Sequence, residues 1–254
     1  MVSVDTVYQR VLAISNKEQR GYITPQEFNL LANQAQMTIF EQYFYDINLA
    51  DTEINKIGGN DTEYSDKIRM IEEKINIFER SINSATSALI TVTPSTGLIS
   101  FPIHYRLGSL FYKDVNAVLI DTEIEKVKLK DAIKYNRSPL AKPTLNRPIC
   151  VIKEPTTLLP NGWAQTYPAV LDATAVITCN YVARPQQVIW GYVISASGDA
   201  LYNVGSSADF ELHEAEESLL VFKILELAGI ILNKPGFVQL AGNEEAQILT
   251  QQKQ

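Results

Sequence analysis

Nine of the eleven prolines lie between Ser87 and Ser206, and that segregation divides the chain before any element is assigned. Proline lacks a backbone N–H and fixes φ, so at this density long helices are excluded and short strands with irregular loops are favoured. Within the zone, ALITVTPSTGLISFP reads as two strands around Pro94-Ser95-Thr96-Gly97. AVLIDTEIEKVKL, RPICVIKEP, ATAVITCNYV and QVIWGYVISA read as further strands, joined by loops such as NRSPLAKPTLNRP.

The flanks, nearly free of proline, carry helical periodicity. After Thr24-Pro25, the residues Phe28, Leu31, Ala35, Ile39 and Tyr43 recur every three or four positions and form one stripe of a long amphipathic helix. Beyond the turn residues IGGND, the residues Tyr64, Ile68, Ile71, Ile75, Phe78 and Ile82 follow a four-three-four-three-four spacing. That spacing predicts a narrow helical seam, buried against the preceding helix as a hairpin or against a neighbouring subunit. From Ala208, FELHEAEESLLVFKILELAGIIL opens acidic, as the positive end of a helix dipole favours, and becomes apolar nearly all round. A helix of that kind must be covered on several sides. PGFVQLAGNEEAQILTQQKQ reads as a further amphipathic helix with a polar tail. The expectation is an α+β protein: helices over 1–86, an antiparallel sandwich- or barrel-like region over 87–206, and carboxy-terminal helices over 207–254 that complete the helical domain.

Charge narrows the function. With 22 Lys and Arg against 29 Asp and Glu, the formal net charge is −7, which argues against a protein whose main task is gripping phosphates. The amino terminus carries no basic region followed by a long apolar run, so no secretory signal is read. The longest apolar block, 219–232, is interrupted by Lys223 and Glu226 and is too short to span a bilayer; a soluble chain without a membrane partner is expected. Cys150 and Cys179 each sit in a strand-like run outside any CxxC pattern, and are expected to be reduced structural thiols.

The stretch NKEQRGYITPQEF has the outline of a calcium loop, with Gly21, Ile23 and Glu27 in register and Asn16 and Glu18 at the first and third ligand places. Arg20 puts a permanent cation where an oxygen ligand belongs. The same residues read better as an S/T-x-x-E capping box over Thr24-Pro25-Gln26-Glu27, with proline at the first helical position. No metal and no cofactor is expected, and the calcium-responsive module stands as the alternative reading.

Motifs of catalysis are not apparent: HExxH, GxSxG, GxxxxGK[ST] and GxGxxG do not occur. His213, among carboxylates in ELHEAEES, reads as an exposed helix-start residue, and His104 in FPIHYRL as a loop or core residue. The pairs Glu216-Glu217 and Glu244-Glu245 read as solvated helix faces. A non-enzymatic role is expected, with an unrecognised site in the β-rich zone as the competing possibility. Trp163 in PNGWAQTYP and Trp190 in ARPQQVIWGY lie near proline-containing loops, where tryptophan is either a lid over the sheet or an anchor in a protein interface. The candidate interface residues are Trp163, Trp190, Ile68, Ile75, Phe222, Phe237 and Leu240.

Four stretches taken together resemble the head-to-tail connector, or neck ring, proteins of podovirus-type tailed bacteriophages, including crAss-like phages. They are GYITPQEFNLLANQAQMTIFEQYF, SPLAKPTLNRPICV, YVARPQQVIW and FELHEAEESLLVFKILELAGIIL. They run in order across most of the chain, and each is a packing pattern without a chemical signature. The resemblance implies a virion structural protein, made in the host cytoplasm, that forms a homo-oligomeric ring, commonly a dodecamer, beneath the portal. Its implied partners are the portal and other neck or tail proteins, and the ring encloses DNA without binding it specifically. A different phage tail structural protein is the nearest alternative.

Overall fold

The computed structural model describes residues 1–17, 23–57, 62–113, 122–155, 157, 161–171, 176–196, 198–231 and 246–247. Among them the chain is an α+β protein in two compact units. A helical unit takes Met1–Ile77 together with Pro185–Gln254, and a β unit takes Phe78–Arg184. The helices are α1 (Val4–Lys17), α2 (Pro25–Ile57), α3 (Thr62–Asn76), α4 (Leu129–Arg137) and α5 (Glu217–Ile231).

The helical unit is built on α2. The five residues of its sequence stripe, Phe28, Leu31, Ala35, Ile39 and Tyr43, are all buried, joined by Ala32 and Phe40. α1 contributes Val4, Val7, Tyr8 and Val11 at helical spacing, and α5 contributes Leu219, Leu220, Val221, Ile224, Leu225 and Ala228. These last six span most of the α5 circumference, and α1 and α2 both pack against it. The amino terminus is tied down where Val2 pairs with Phe210 and the Val4 N–H donates to Asp209 Oδ1 at 2.8 Å.

Two boundaries differ from the sequence expectation. The seam predicted through Ile82 ends as a helix at Asn76, and the chain re-enters as a strand, β1 (Glu79–Asn83). Phe78 and Ile82 are four apart, a spacing that suits one face of a helix and one face of a strand equally, so periodicity does not mark the switch. The acidic approach to α5 is not helical from Ala208. Phe210 and Leu212 are buried ahead of a short 3-10 turn at Glu214–Glu216, which leads into the helix at Glu217.

The β unit holds two sheets. β1 is followed by β2 (Thr91–Thr93), β3 (Leu98–Ser100), β4 (Arg106–Lys113), β5 (Thr122–Glu123), β6 (Glu125–Lys126), β7 (Ile149–Lys153), β8 (Trp163–Tyr167) and β9 (Val176–Val182). One sheet has the order β1-β9-β4-β5 and the other β2-β3-β8-β7-β6, with every pairing antiparallel except β6 with β7. A single core cluster draws Leu110, Tyr112, Ile177, Cys179 and Tyr181 from the first sheet and Ile99, Cys150 and Ala164 from the second. Sharing one apolar layer makes the two sheets a sandwich. The β2–β3 turn requires Gly97, whose φ is +66° and whose carbonyl accepts from both the N–H and the Oγ1 of Thr166, each at 2.9 Å. In the helical unit, β10 (Tyr192–Ile194) and β11 (Ala200–Tyr202) form a separate antiparallel hairpin, so β structure recurs after the β unit has closed.

Candidate functional site

The most elaborate polar structure in the helical unit is a joint between α2 and the extended stretch Gln186–Trp190. Asn29, Asn33 and Gln36 stand at i, i+4 and i+7, which places their side chains along one face of α2. Asn29 Oδ1 accepts from the Trp190 N–H at 2.7 Å and its Nδ2 donates to the Trp190 carbonyl at 3.4 Å. Asn33 clasps Val188 in the same way, at 2.9 Å in both directions. Gln36 Nε2 donates to the Gln186 carbonyl at 2.8 Å, while its Oε1 accepts from the Glu211 N–H at 3.3 Å. Along an extended chain alternate residues turn the same backbone edge, so 186, 188 and 190 meet the helix while Ile189 pairs backbone to backbone with Ala208. The stretch is thus a strand with a helix for one of its neighbours.

Trp190 locks the end of this joint. It is 2% exposed, its Nε1–H donates to Asp5 Oδ1 at 3.0 Å, and its ring lies 4.2 Å from that of Tyr8, which meets Phe28 edge-on. Tyr192 and Tyr202, from the β10–β11 hairpin, approach the same indole. Of the two roles open to this tryptophan, the core role is the one it fills.

A buried ion pair closes the opposite end of the α2 core. Glu216 is fully buried, not solvated as its acidic neighbourhood suggests, and its Oε1 lies 2.5 Å from Lys74 Nζ. Lys74 also lies over the ring of Tyr43, 5.7 Å from its centroid. Burial, and next the nearby charge of Glu216, hold the Tyr43 hydroxyl protonated far above the ordinary tyrosine range. Glu217, the other member of the pair, binds Arg10 at 2.9 Å. Both carboxylates stand at the amino-terminal end of α5, so the helix dipole adds to the local cations.

The capping box forms as the sequence predicts. Glu27 Oε2 accepts from the Thr24 N–H at 2.9 Å and from Thr24 Oγ1 at 2.8 Å, while the Glu27 N–H donates to Thr24 Oγ1 at 3.3 Å. Those bonds, backbone first, hold the Glu27 carboxyl below its ordinary range. The carboxylate that a calcium loop would need is therefore committed to starting α2; residues 18–22 of that loop lie outside the described residues. Among the described residues no three His, Cys, Asp or Glu side chains gather as a metal site. The two histidines are both engaged locally. His104 Nδ1 bonds to the Pro102 carbonyl at 2.8 Å beside the Phe101 ring, and His213 Nδ1 accepts from the Ala215 N–H at 3.2 Å as the cap of the 3-10 turn.

In the β unit the conspicuous surface is α4. Only Ala132 of this helix is buried, set against Ile149 and Val151 of β7. Lys130, Lys134 and Arg137 stand exposed at i, i+4 and i+7, beside exposed Leu129 and Ile133 at i and i+4. An open hollow of about 510 Å³ lies at the start of the helix, lined by Lys126, Lys128, Leu129, Ile152, Lys153 and neighbouring residues. Lys126 Nζ reaches back to the carbonyls of Leu107 and Gly108. Cys150 and Cys179 are free, buried thiols, and burial pushes both up to about 11 against the opposing charge of Lys126.

The candidate interface residues fall in both units. Ile75 is buried with Trp190 in the helical unit, Ile68 and Phe222 are half-buried there, and Trp163 is half-buried on β8 with Lys153 over its ring. Phe237 and Leu240 lie outside the described residues. No protein-family model matches the chain, and no curated protein sequence matches it. Among the described residues no helix is long and apolar enough to cross a membrane.

Proposed function

We propose that this chain is a structural, non-enzymatic ring subunit of a tailed-phage head-to-tail connector, stacked beneath the portal around the DNA channel and carried in the neck or tail of the virion. One observation carries the reading. Three of the four stretches that resemble connector proteins are direct partners of one another in the helical unit. The α2 stretch supplies Asn29, Asn33, Gln36 and Tyr43; the YVARPQQVIW stretch supplies the backbone those amides clasp; the third supplies Glu211, Glu216 and the apolar face of α5. Three of the four stretches therefore contribute to one cooperating set of contacts.

Charge distribution supports the same role. The helical unit carries 10 Lys and Arg against 21 Asp and Glu, a net −11, whereas the β unit carries 12 against 8, a net +4. A strongly acidic surface repels the phosphate backbone, which suits a ring that encloses DNA without retaining it. The test is negative-stain microscopy with light scattering on the purified chain, free and mixed with its portal. Closed rings in either sample are the expected result, and a chain that stays monomeric and ignores the portal overturns the reading.

A further inference from the structure

The geometry points to α4 as the element that docks the β unit of one copy onto the exposed face of α2 in a second copy. The proposal rests on the ring reading and names the contact that would build the ring. α4 is held to its sheet by one small residue, Ala132, so most of its circumference is left to solvent. That surface has two adjacent rails: a basic one of Lys130, Lys134 and Arg137, and an apolar one of Leu129 and Ile133. Lys134 is partly compensated by Asp131 at 3.6 Å, and the three cations otherwise line one side of the helix.

A matching surface exists on α2. Away from its buried stripe, Leu30 (74% exposed), Glu41 and Tyr45 (65% exposed) stand in the open. α2 carries Glu41 on that face and belongs to a unit of net charge −11. It thus offers apolar side chains in an acidic field where α4 offers apolar side chains in a basic one. Helix-on-helix contact satisfies both rails together, which a polyanion would not: duplex DNA meets the lysines but leaves Leu129 and Ile133 uncovered, and the −11 helical unit on the same chain repels it. Because donor and acceptor are different surfaces, each copy can give one contact and receive one. Such a heterologous interface propagates into a ring when the rotation closes.

The test is sedimentation velocity of the full chain, wild type against the variant K130E/K134E/R137E, at low and high salt. The three residues are exposed, and far-UV circular dichroism with a melting curve checks that the variant folds. Wild type should associate at low salt, and reversing three charges should weaken that association by at least about tenfold. The variant keeps its own α2 face, so added to wild type it should terminate chains and lower the mean assembly size; Glu41→Lys with Tyr45→Ala should abolish this capping. Wild-type-like assembly of the K130E/K134E/R137E variant overturns the docking element and leaves the ring reading standing. Absence of assembly by wild type, with and without portal, overturns both. Binding of a short DNA duplex that the variant loses while its assembly is unchanged assigns α4 to nucleic acid and also overturns the proposal.

Discussion

Among the described residues, the helical unit buries Ser15, Gln36 and Glu216, whereas the β unit buries Thr166 as its one fully covered polar side chain. The difference follows from where each unit finds its backbone partners. In the sandwich, strands satisfy one another through ladders, and the core between the sheets can be apolar, down to thiols that behave as small hydrophobes. In the helical unit each helix satisfies itself, so the backbone of a helix does not fix which segment lies against it. Asn29, Asn33, Gln36 and the Lys74–Glu216 pair supply that selection through side chains. Hydrophobic stripes decide that α2 is buried; the amides decide what lies on it.

Removing polar partners should therefore be costly in one unit and mild in the other. The two tryptophans, Trp190 and Trp163, lie one in each unit, so Trp163→Phe leaves a fluorescence reporter of the helical unit alone. On that background, Lys74→Met leaves Glu216 buried without its cation and should cost about 3–5 kcal/mol in urea unfolding. Pairing it with Glu216→Leu should recover most of the loss, and a double variant as unstable as the single would break the argument that charge imbalance is the cause. Asn33→Ala strands both backbone groups of Val188 and should cost about 2 kcal/mol. Thr24→Ala, which opens the capping box, should cost about 1 kcal/mol.

For the β unit, Thr166→Val should cost less than about 1 kcal/mol, because the backbone N–H at 166 still donates to the Gly97 carbonyl. A loss as large as that of Asn33→Ala would erase the contrast. The thiols give an effect of definite sign. Each is held protonated up to about 11 in the folded unit against an ordinary value of 9.0, so the unfolded chain loses those protons first. Stability should decline as pH rises from about 9 towards 11, and Cys150→Ala/Cys179→Ala should flatten that slope in unfolding curves taken across the range.

The same contrast explains what sequence alone could reveal. The α2 stripe and its Thr24–Glu27 start are local patterns, and each appears where expected. Asn29, Asn33 and Gln36 also have helical spacing, but polar residues at that spacing look like a wet face, and their partners lie 150 or more residues away. Glu216 is hidden for the same reason: inside HEAEES it is indistinguishable from its solvated neighbours until Lys74 is brought beside it. Trp190 carried a stronger hint, since a single indole needs both a large cavity and an acceptor, here Asp5.

The order of the chain adds a constraint in time. β1 and β9 are antiparallel neighbours, with Glu79 opposite Val182, so the β unit begins and ends at one place on its sheet. It is an insertion between the two halves of the helical unit. During synthesis, α2 emerges early with its apolar stripe and its three amides unmatched, and the segment that satisfies them leaves the ribosome only after the entire sandwich has been made. All of the sandwich sequence is therefore available to close while the helical unit still lacks its second half.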